Sequence, residues 1–504
     1  MKINNKSIMI QGTASSVGKS ILCTALCRIF TQDGYNVNPF KSQNMSLNSG
    51  ITYEGYEIGR AQVMQAEASR KVPSIKMNPV LIKPTTDRKS QIIIEGKVFD
   101  NMDAVEYFNY KSKLKNKIRE VYEELKSESE IVVIEGAGSP VEINLNENDF
   151  VNMGMAKIAK SPVILVADID RGGVFASLAG TMMLLKEDER KLVKGVIINK
   201  FRGSYDLLEP GLKMIEDIIK VPVLGVIPYF NLDLEDEDSV VDWNKFESKG
   251  SGDINIAVIK LPHISNFTDF NALAHYEDID LRFVNKADEL ENPDVIIIPG
   301  SKNTIEDLEY IKKIGIFEKI KECHKNGSFI FGICGGFQML GLKVTDSLGI
   351  ESVSKEVDGL GLIKAVTKFS REKVTALSEG ADKLFNCKIK GYEIHMGDTM
   401  LLDKTKYLSE VNVSNGNSVQ RFDGAISENE RVFGTYLHGI FDNSLFTRKL
   451  LNMIREEKGK MPLQNIPKDY WDYKNDQFDE LAHIVRNNID VKRIYEILEG
   501  GIHG

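Results

Sequence analysis

The chain has 504 residues, 42% hydrophobic and 27% charged, an ordinary globular balance. Its formal net charge of −9 argues against a nucleic-acid partner or an anionic membrane face, while leaving room for a local basic pocket. No apolar run approaches the ~18 residues of a membrane helix, no secretory h-region follows Met1, and five cysteines without regular spacing do not suggest a disulfide framework. A soluble protein of the reducing cytoplasm is expected.

In chain order, short apolar runs at 7–11, 131–134, 163–167, 195–198 and 223–227 alternate with amphipathic stretches such as 20–32 and 110–126. That alternation predicts a parallel sheet covered by helices. The run at 7–11 leads into Gly12-Thr-Ala-Ser-Ser-Val-Gly-Lys-Ser20 and then a helical pattern. A small-residue turn between strand and helix lets backbone N–H groups, the helix N-terminus and Lys19 surround phosphate oxygens, with the Ser20 hydroxyl available to Mg²⁺. The strict motif wants glycine where Thr13 stands; the glycine is one residue earlier, at Gly12, a variant that resembles the dethiobiotin-synthetase group of P-loop NTPases. Gly12, Thr13, Gly18, Lys19 and Ser20 are thus the expected ATP cradle. Cys23 and Cys27 lie one turn apart on the following helix and read as buried apolar side chains rather than a metal or redox pair.

Residues 39–48 are polar where a second strand should end, and Lys41 is placed to bridge nucleotide phosphate and an acidic substrate. Lys83 and Arg88, then Asp170 and Arg171 on a glycine turn, are further loop charges; each is either a substrate contact or a solvated surface group. The run at 131–134 delivers Glu135 to a glycine turn at the carboxyl end of a strand, where a carboxylate can hold Mg²⁺ on nucleotide phosphates. These residues point to a nucleotide-dependent enzyme acting on an anion.

An acidic run at 233–238 and Lys249-Gly-Ser-Gly252 mark a linker. The expected division is a P-loop domain at 1–230, a linker at 231–252, a second α/β domain at 253–445 and a C-terminal helical segment at 446–504, read as a cap on the second domain. Strands of that domain are predicted at 254–260, 295–298, 328–333, 391–395 and 431–436. Gly332-Ile-Cys-Gly-Gly336 follows the third of these and precedes a helix, a nucleophile elbow with Cys334 in place of serine. The Gly335 N–H and the turn at 300–304 are candidate oxyanion donors. His438, where a strand-like run breaks into a loop, is the candidate base, with His395 as its competitor.

With Cys334 and His438 placed, the second domain resembles a class I glutamine amidotransferase. That family has a glutamate two residues after the histidine, where this chain has Ile440, as in the branch serving corrinoid synthesis. No acid is assigned to orient His438; Asp442 is nearby but is not given the role.

The whole chain resembles the cobyric acid synthase family of glutamine-hydrolysing corrinoid amidotransferases. The resemblance rests on residues 39–49, 78–87, 135–144, 152–154 and 168–173 together with Cys334 and His438, and most on Gln43-Asn-Met-Ser-Leu-Asn48. It implies that ATP phosphorylates the b, d, e and g carboxylates of adenosylcobyrinic acid a,c-diamide and that glutamine-derived ammonia converts them to amides. It places ATP and Mg²⁺ on Lys19, Ser20 and Glu135, and the corrinoid on the first domain. Two alternatives are cobyrinic acid a,c-diamide synthase, disfavoured by the 43–48 stretch, and a regulatory P-loop ATPase with a degenerate glutaminase-like domain. Intact Cys334 and His438 disfavour the latter.

Overall fold

A computed structural model describes residues 3–46, 48–84, 89–144, 149–234, 252–352 and 356–503. Arg88, the acidic run beyond Leu234 and the linker up to residue 251 lie outside the described residues. The chain separates into two compact units, one formed by residues 1–46, 57–240 and 474–504, the other by 47–56 and 241–473.

The first unit is built on six parallel strands: β1 (Lys6–Gly12), β2 (Val37–Phe40), β3 (Ile131–Glu135), β4 (Val163–Asp168), β5 (Val193–Phe201) and β6 (Val223–Pro228). Their order is β6-β5-β4-β1-β3-β2. β1 is central, with Ile10 in register with Ile164 on one side and Glu135 on the other. Every residue of β3 is buried, as its unbroken apolar run requires of a strand covered on both faces. The helix Lys19–Gln32 packs Leu22, Cys23, Leu26, Cys27 and Phe30 onto the sheet. Burial pushes the Cys23 thiol up and takes Cys27 to about 12, so both are inert apolar filling. A separate four-stranded sheet joins Gln43–Met45, Val80–Pro84, Lys89–Ile94 and Lys97–Asp103.

The C-terminal helices correct one expectation. The helix Ser444–Glu457 does pack Phe446, Leu450, Leu451 and Ile454 into the second unit's core. From Lys474 onward, however, the chain belongs to the first unit, where Phe478, Leu481, Val485, Ile489, Ile494 and Leu498 join the core around β1 and the helix Lys19–Gln32. An amphipathic pattern announces a buried face without saying which core receives it. Arg28 fixes the choice: it is buried, its Nε donates to Asp479 Oδ1 at 2.7 Å, and one of its amino groups donates to Ala68 O at 3.3 Å. Leu481→Ala is therefore expected to destabilise the first unit by about 2–5 kcal/mol, seen as a lower urea midpoint of the ATP-binding half.

The second unit has β7 (Ile254–Ile259), β8 (Ile279–Val284), β9 (Val295–Ile298), β10 (Phe329–Ile333), β11 (Ala425–Ile426) and β12 (Val432–Thr435) in the order β8-β7-β9-β10-β12-β11. All neighbours are parallel except the β11–β12 pair. The run at 391–395, expected as a strand of this α/β sheet, instead lies within Lys388–Leu401. That long strand pairs antiparallel with Ala365–Asp382 in a different sheet. Residues 391–395 are buried without a break, and exposed positions fall only toward the two ends of the strand. Among the described residues no helix is long and apolar enough to cross a membrane.

Candidate active sites

In the first unit the loop after β1 is held from one side, by β4 and by β5 beyond it. The Thr13 N–H donates to Val166 O at 2.9 Å, the Asn199 amide donates to Val17 O at 2.9 Å, and Lys200 Nζ donates to Ser16 O at 2.7 Å. Gly18 has φ +96°, and a Cβ there would meet Asn199 Nδ2 at 2.2 Å, so this position takes only glycine. At Gly12 a Cβ would lie 2.6 Å from Val17 and 3.0 Å from the Lys19 stem. Buried Lys19 curls back to donate to Ala14 O at 3.0 Å, inside the ring of backbone that a phosphate would occupy.

Behind this loop the predicted residues converge on Glu135. Its Oε1 accepts from Ser20 Oγ at 2.8 Å and from Lys41 Nζ at 2.6 Å. Its Oε2 accepts from two amides the sequence did not single out, Gln65 at 2.5 Å and Gln62 at 3.4 Å, both on the helix Arg60–Ala68. Burial alone would push the Glu135 carboxyl up, but the Lys41 charge and the hydrogen bonds from Lys41, Gln65 and Ser20 hold it below the ordinary carboxylate range. The other predicted charges do not join this site. Lys83 is buried in an ion pair with Glu57, Asp170 pairs with Arg202 at 3.1 Å, and Arg171 is exposed.

In the second unit Cys334 sits at the carboxyl end of β10 with φ +51° and ψ −109°, a strained conformation for a non-glycine residue, and caps the helix Gly335–Leu340. The turn depends on its glycines: a Cβ on Gly336 would lie 2.0 Å from Ile298 O, and one on Gly332 would lie 2.6 Å from Leu340. The Cys334 thiol points toward Ile394 O at 3.4 Å. The 300–304 turn lies against the elbow and His438. A Cβ on Gly335 would be 2.9 Å from Ser301 N, and one on Gly300 would be 3.1 Å from His438 Cε1.

His438 is fully buried and interacts with Cys334. Its ring is parallel to Tyr392 at 5.2 Å. The acid that sequence could not name is Asp269: its Oδ2 lies 2.7 Å from His438 Nδ1 and its Oδ1 accepts the Gly439 N–H at 2.8 Å. Asp269 comes from the 3₁₀ segment Phe267–His275, 169 residues before His438, so no local spacing signals it. Ile440 is buried among apolar neighbours. Burial disfavours the charged ring, but Asp269, with a smaller contribution from Cys334, outweighs it and raises the His438 pKa to about 10. His395, the competitor, instead stacks on Tyr436 at 3.7 Å and places Nδ1 3.1 Å from Gly397 O. Cysteine at an elbow, buried imidazole and carboxylate form the constellation of a nucleophilic acyl-transfer site.

Fold and sites together define a nucleotide-binding domain followed by a glutamine amidotransferase domain. Family models agree: residues 8–239 match the CobQ/CobB/MinD/ParA nucleotide binding domain and residues 255–446 the CobB/CobQ-like glutamine amidotransferase domain. The chain is 65% identical to the cobyric acid synthase of Clostridium novyi over 99% of both chains. It is 52% identical to that of Caldanaerobacter subterraneus subsp. tengcongensis over 98% of each, and 53% identical to that of Alkaliphilus metalliredigens over 98% of this chain and 100% of that one. The chain belongs to the cobyric acid synthase family and is a glutamine-hydrolysing carbon–nitrogen ligase.

Proposed function

We propose that this chain amidates the b, d, e and g carboxylates of adenosylcobyrinic acid a,c-diamide to give cobyric acid, spending ATP and taking ammonia from glutamine. The observation that carries the glutaminase half is the Asp269–His438 pair buried beside Cys334 at the elbow. Cys334 Sγ attacks the carboxamide carbon of glutamine. His438 gives a proton to the departing nitrogen, and ammonia leaves a thioester that water hydrolyses to glutamate. The Gly335 N–H and the Gly300–Ser301 turn face the developing oxyanion. Asp269 holds the ring through Nδ1 so that Nε2 serves the reaction.

In the first unit, residues 12–20 hold ATP. Ser20 Oγ and the Glu135 carboxylate are hard oxygen donors 2.8 Å apart beside the phosphate loop, and they fit a Mg²⁺ that takes its remaining ligands from phosphates and water. Bound there, the metal neutralises phosphate charge during phosphoryl transfer. Lys41, paired with Glu135 beside the phosphate loop, is the cation that would face the transferred phosphoryl group and the substrate carboxylate. The cobalt belongs to the substrate and asks for no ligand cage. Five reduced cysteines, all buried, suit a cytoplasmic setting.

Incubation with Mg-ATP, glutamine and adenosylcobyrinic acid a,c-diamide should release one ADP and one glutamate per amide formed. Turnover confined to the less amidated precursor would move the assignment to the a,c-diamide synthase.

Asp269→Asn should lower glutamine hydrolysis by ~10³- to 10⁴-fold, measured as kcat with folding checked by thermal melting. The same variant reports on stability. Because the His438 pKa is raised from 6.5 to about 10, its stabilising contribution is complete below 6.5 and lost as pH rises through 10. The melting difference between wild type and Asp269→Asn should therefore shrink between those two values.

A further inference from the structure

Asn266, the residue immediately before the segment carrying Asp269, is buried with φ +52°. Its Nδ2 lies 3.2 Å from His438 Nε2, the ring nitrogen that serves the reaction. Its Oδ1 is buried without a hydrogen-bond partner. Its backbone N–H donates to Asn48 Oδ1 at 3.1 Å, and the Ser265 N–H donates to Gly300 O at 2.9 Å, so the carboxamide is carried on a segment fastened on both sides. An unpaired buried amide oxygen is unfavourable, and such a group persists where a ligand supplies the missing donor.

We propose that Asn266 is a specificity residue for the ammonia donor: its side-chain oxygen accepts an N–H of the substrate carboxamide. The inference rests on the glutaminase function proposed above. For nitrogen to leave as ammonia it must come within hydrogen-bond reach of His438 Nε2, and when that nitrogen is an acceptor the Asn266 –NH₂ faces it and leaves Oδ1 for the substrate. A group that stands 3.2 Å from that nitrogen and carries an unused acceptor meets the incoming –NH₂. Glutamate and γ-esters offer no N–H at that place, so the same oxygen discriminates against them. A site that hydrogen-bonds a substrate N–H rejects analogues lacking it, because its own polar group is then left unpaired. Asn48, whose side chain holds the Asn266 backbone, acts as a positioning residue.

The test compares L-glutamine with L-glutamic acid γ-methyl ester, which acylates the same cysteine but lacks the N–H. Asn266→Gly tolerates the positive φ and removes only the carboxamide; Asn266→Asp keeps an oxygen acceptor on a residue that also tolerates this conformation. For Asn266→Gly the ratio of kcat/KM for glutamine over the ester should fall by about 100-fold, with the ester still turned over. Asn266→Asp should retain more of the preference. Equal losses on both substrates would show that Asn266 merely supports its loop and would overturn the inference. A wild-type chain that hydrolyses neither substrate would overturn the glutaminase function and this inference with it.

Discussion

Cys334→Ala is expected to lower glutamine-supported amidation by at least ~10⁴-fold while ammonium salts still support it. The thiol is the nucleophile, and no neighbour can replace it: His438 is committed to Asp269 through Nδ1, and the other four cysteines are buried at Cys23, Cys27, Cys323 and Cys387. The strained backbone at Cys334 is set by its glycine neighbours and by the Cys334 N–H, which donates to Thr435 O at 2.8 Å, so truncating the side chain leaves the elbow in place. External ammonia bypasses the glutaminase half and reaches the activated carboxylate directly. Product mass in parallel reactions with glutamine and ammonium chloride reads both arms. Loss of both would mean that the substitution had damaged more than the nucleophile.

Glu135→Ala should have the opposite signature: ATP-dependent amidation is lost with either nitrogen source, and glutamine hydrolysis continues. The carboxylate is the acceptor for Ser20, Lys41, Gln62 and Gln65 at once, and its removal takes the carboxylate out of the buried ion pair with Lys41. Breaking a buried ion pair by removing one partner costs about 3–5 kcal/mol, so the first unit should also melt earlier. The sign with pH follows from the lowered carboxyl pKa. The stabilisation from Glu135 is present above the ordinary carboxylate range and is lost as acid takes the solution down through the folded-state value. ADP release, glutamate release and the acid limb of thermal melting, compared with wild type, check these effects together.

Much of both sites is legible because each chemical group sits where a local pattern changes. The phosphate loop lies between an apolar run and a helix, Glu135 ends a fully buried strand, and Cys334 stands among glycines between strand and helix. What was not legible depends on contacts distant in sequence. Asp269 reaches His438 across 169 residues from a 3₁₀ segment, and Ile440 fills the position the related families give to an acid. Gln62 and Gln65 look like ordinary helix residues until the helix turns them toward Glu135. Lys83 reads as either a substrate contact or a solvated surface charge because its buried partner, Glu57, lies in a separate short strand. The last two helices show the same limit at the scale of a domain: their apolar spacing is clear, and their attachment to the first unit follows from Arg28 and the core around β1.

The central claim is that nitrogen released at Cys334 ends on corrinoid carboxylates activated with ATP. The most direct measurement gives the wild-type protein Mg-ATP, adenosylcobyrinic acid a,c-diamide and glutamine labelled with ¹⁵N in its side-chain amide, and weighs the corrinoid product. Successive carboxylate-to-amide mass changes, each carrying the heavy nitrogen, are the predicted result. A corrinoid of unchanged mass alongside ADP and glutamate release would contradict it.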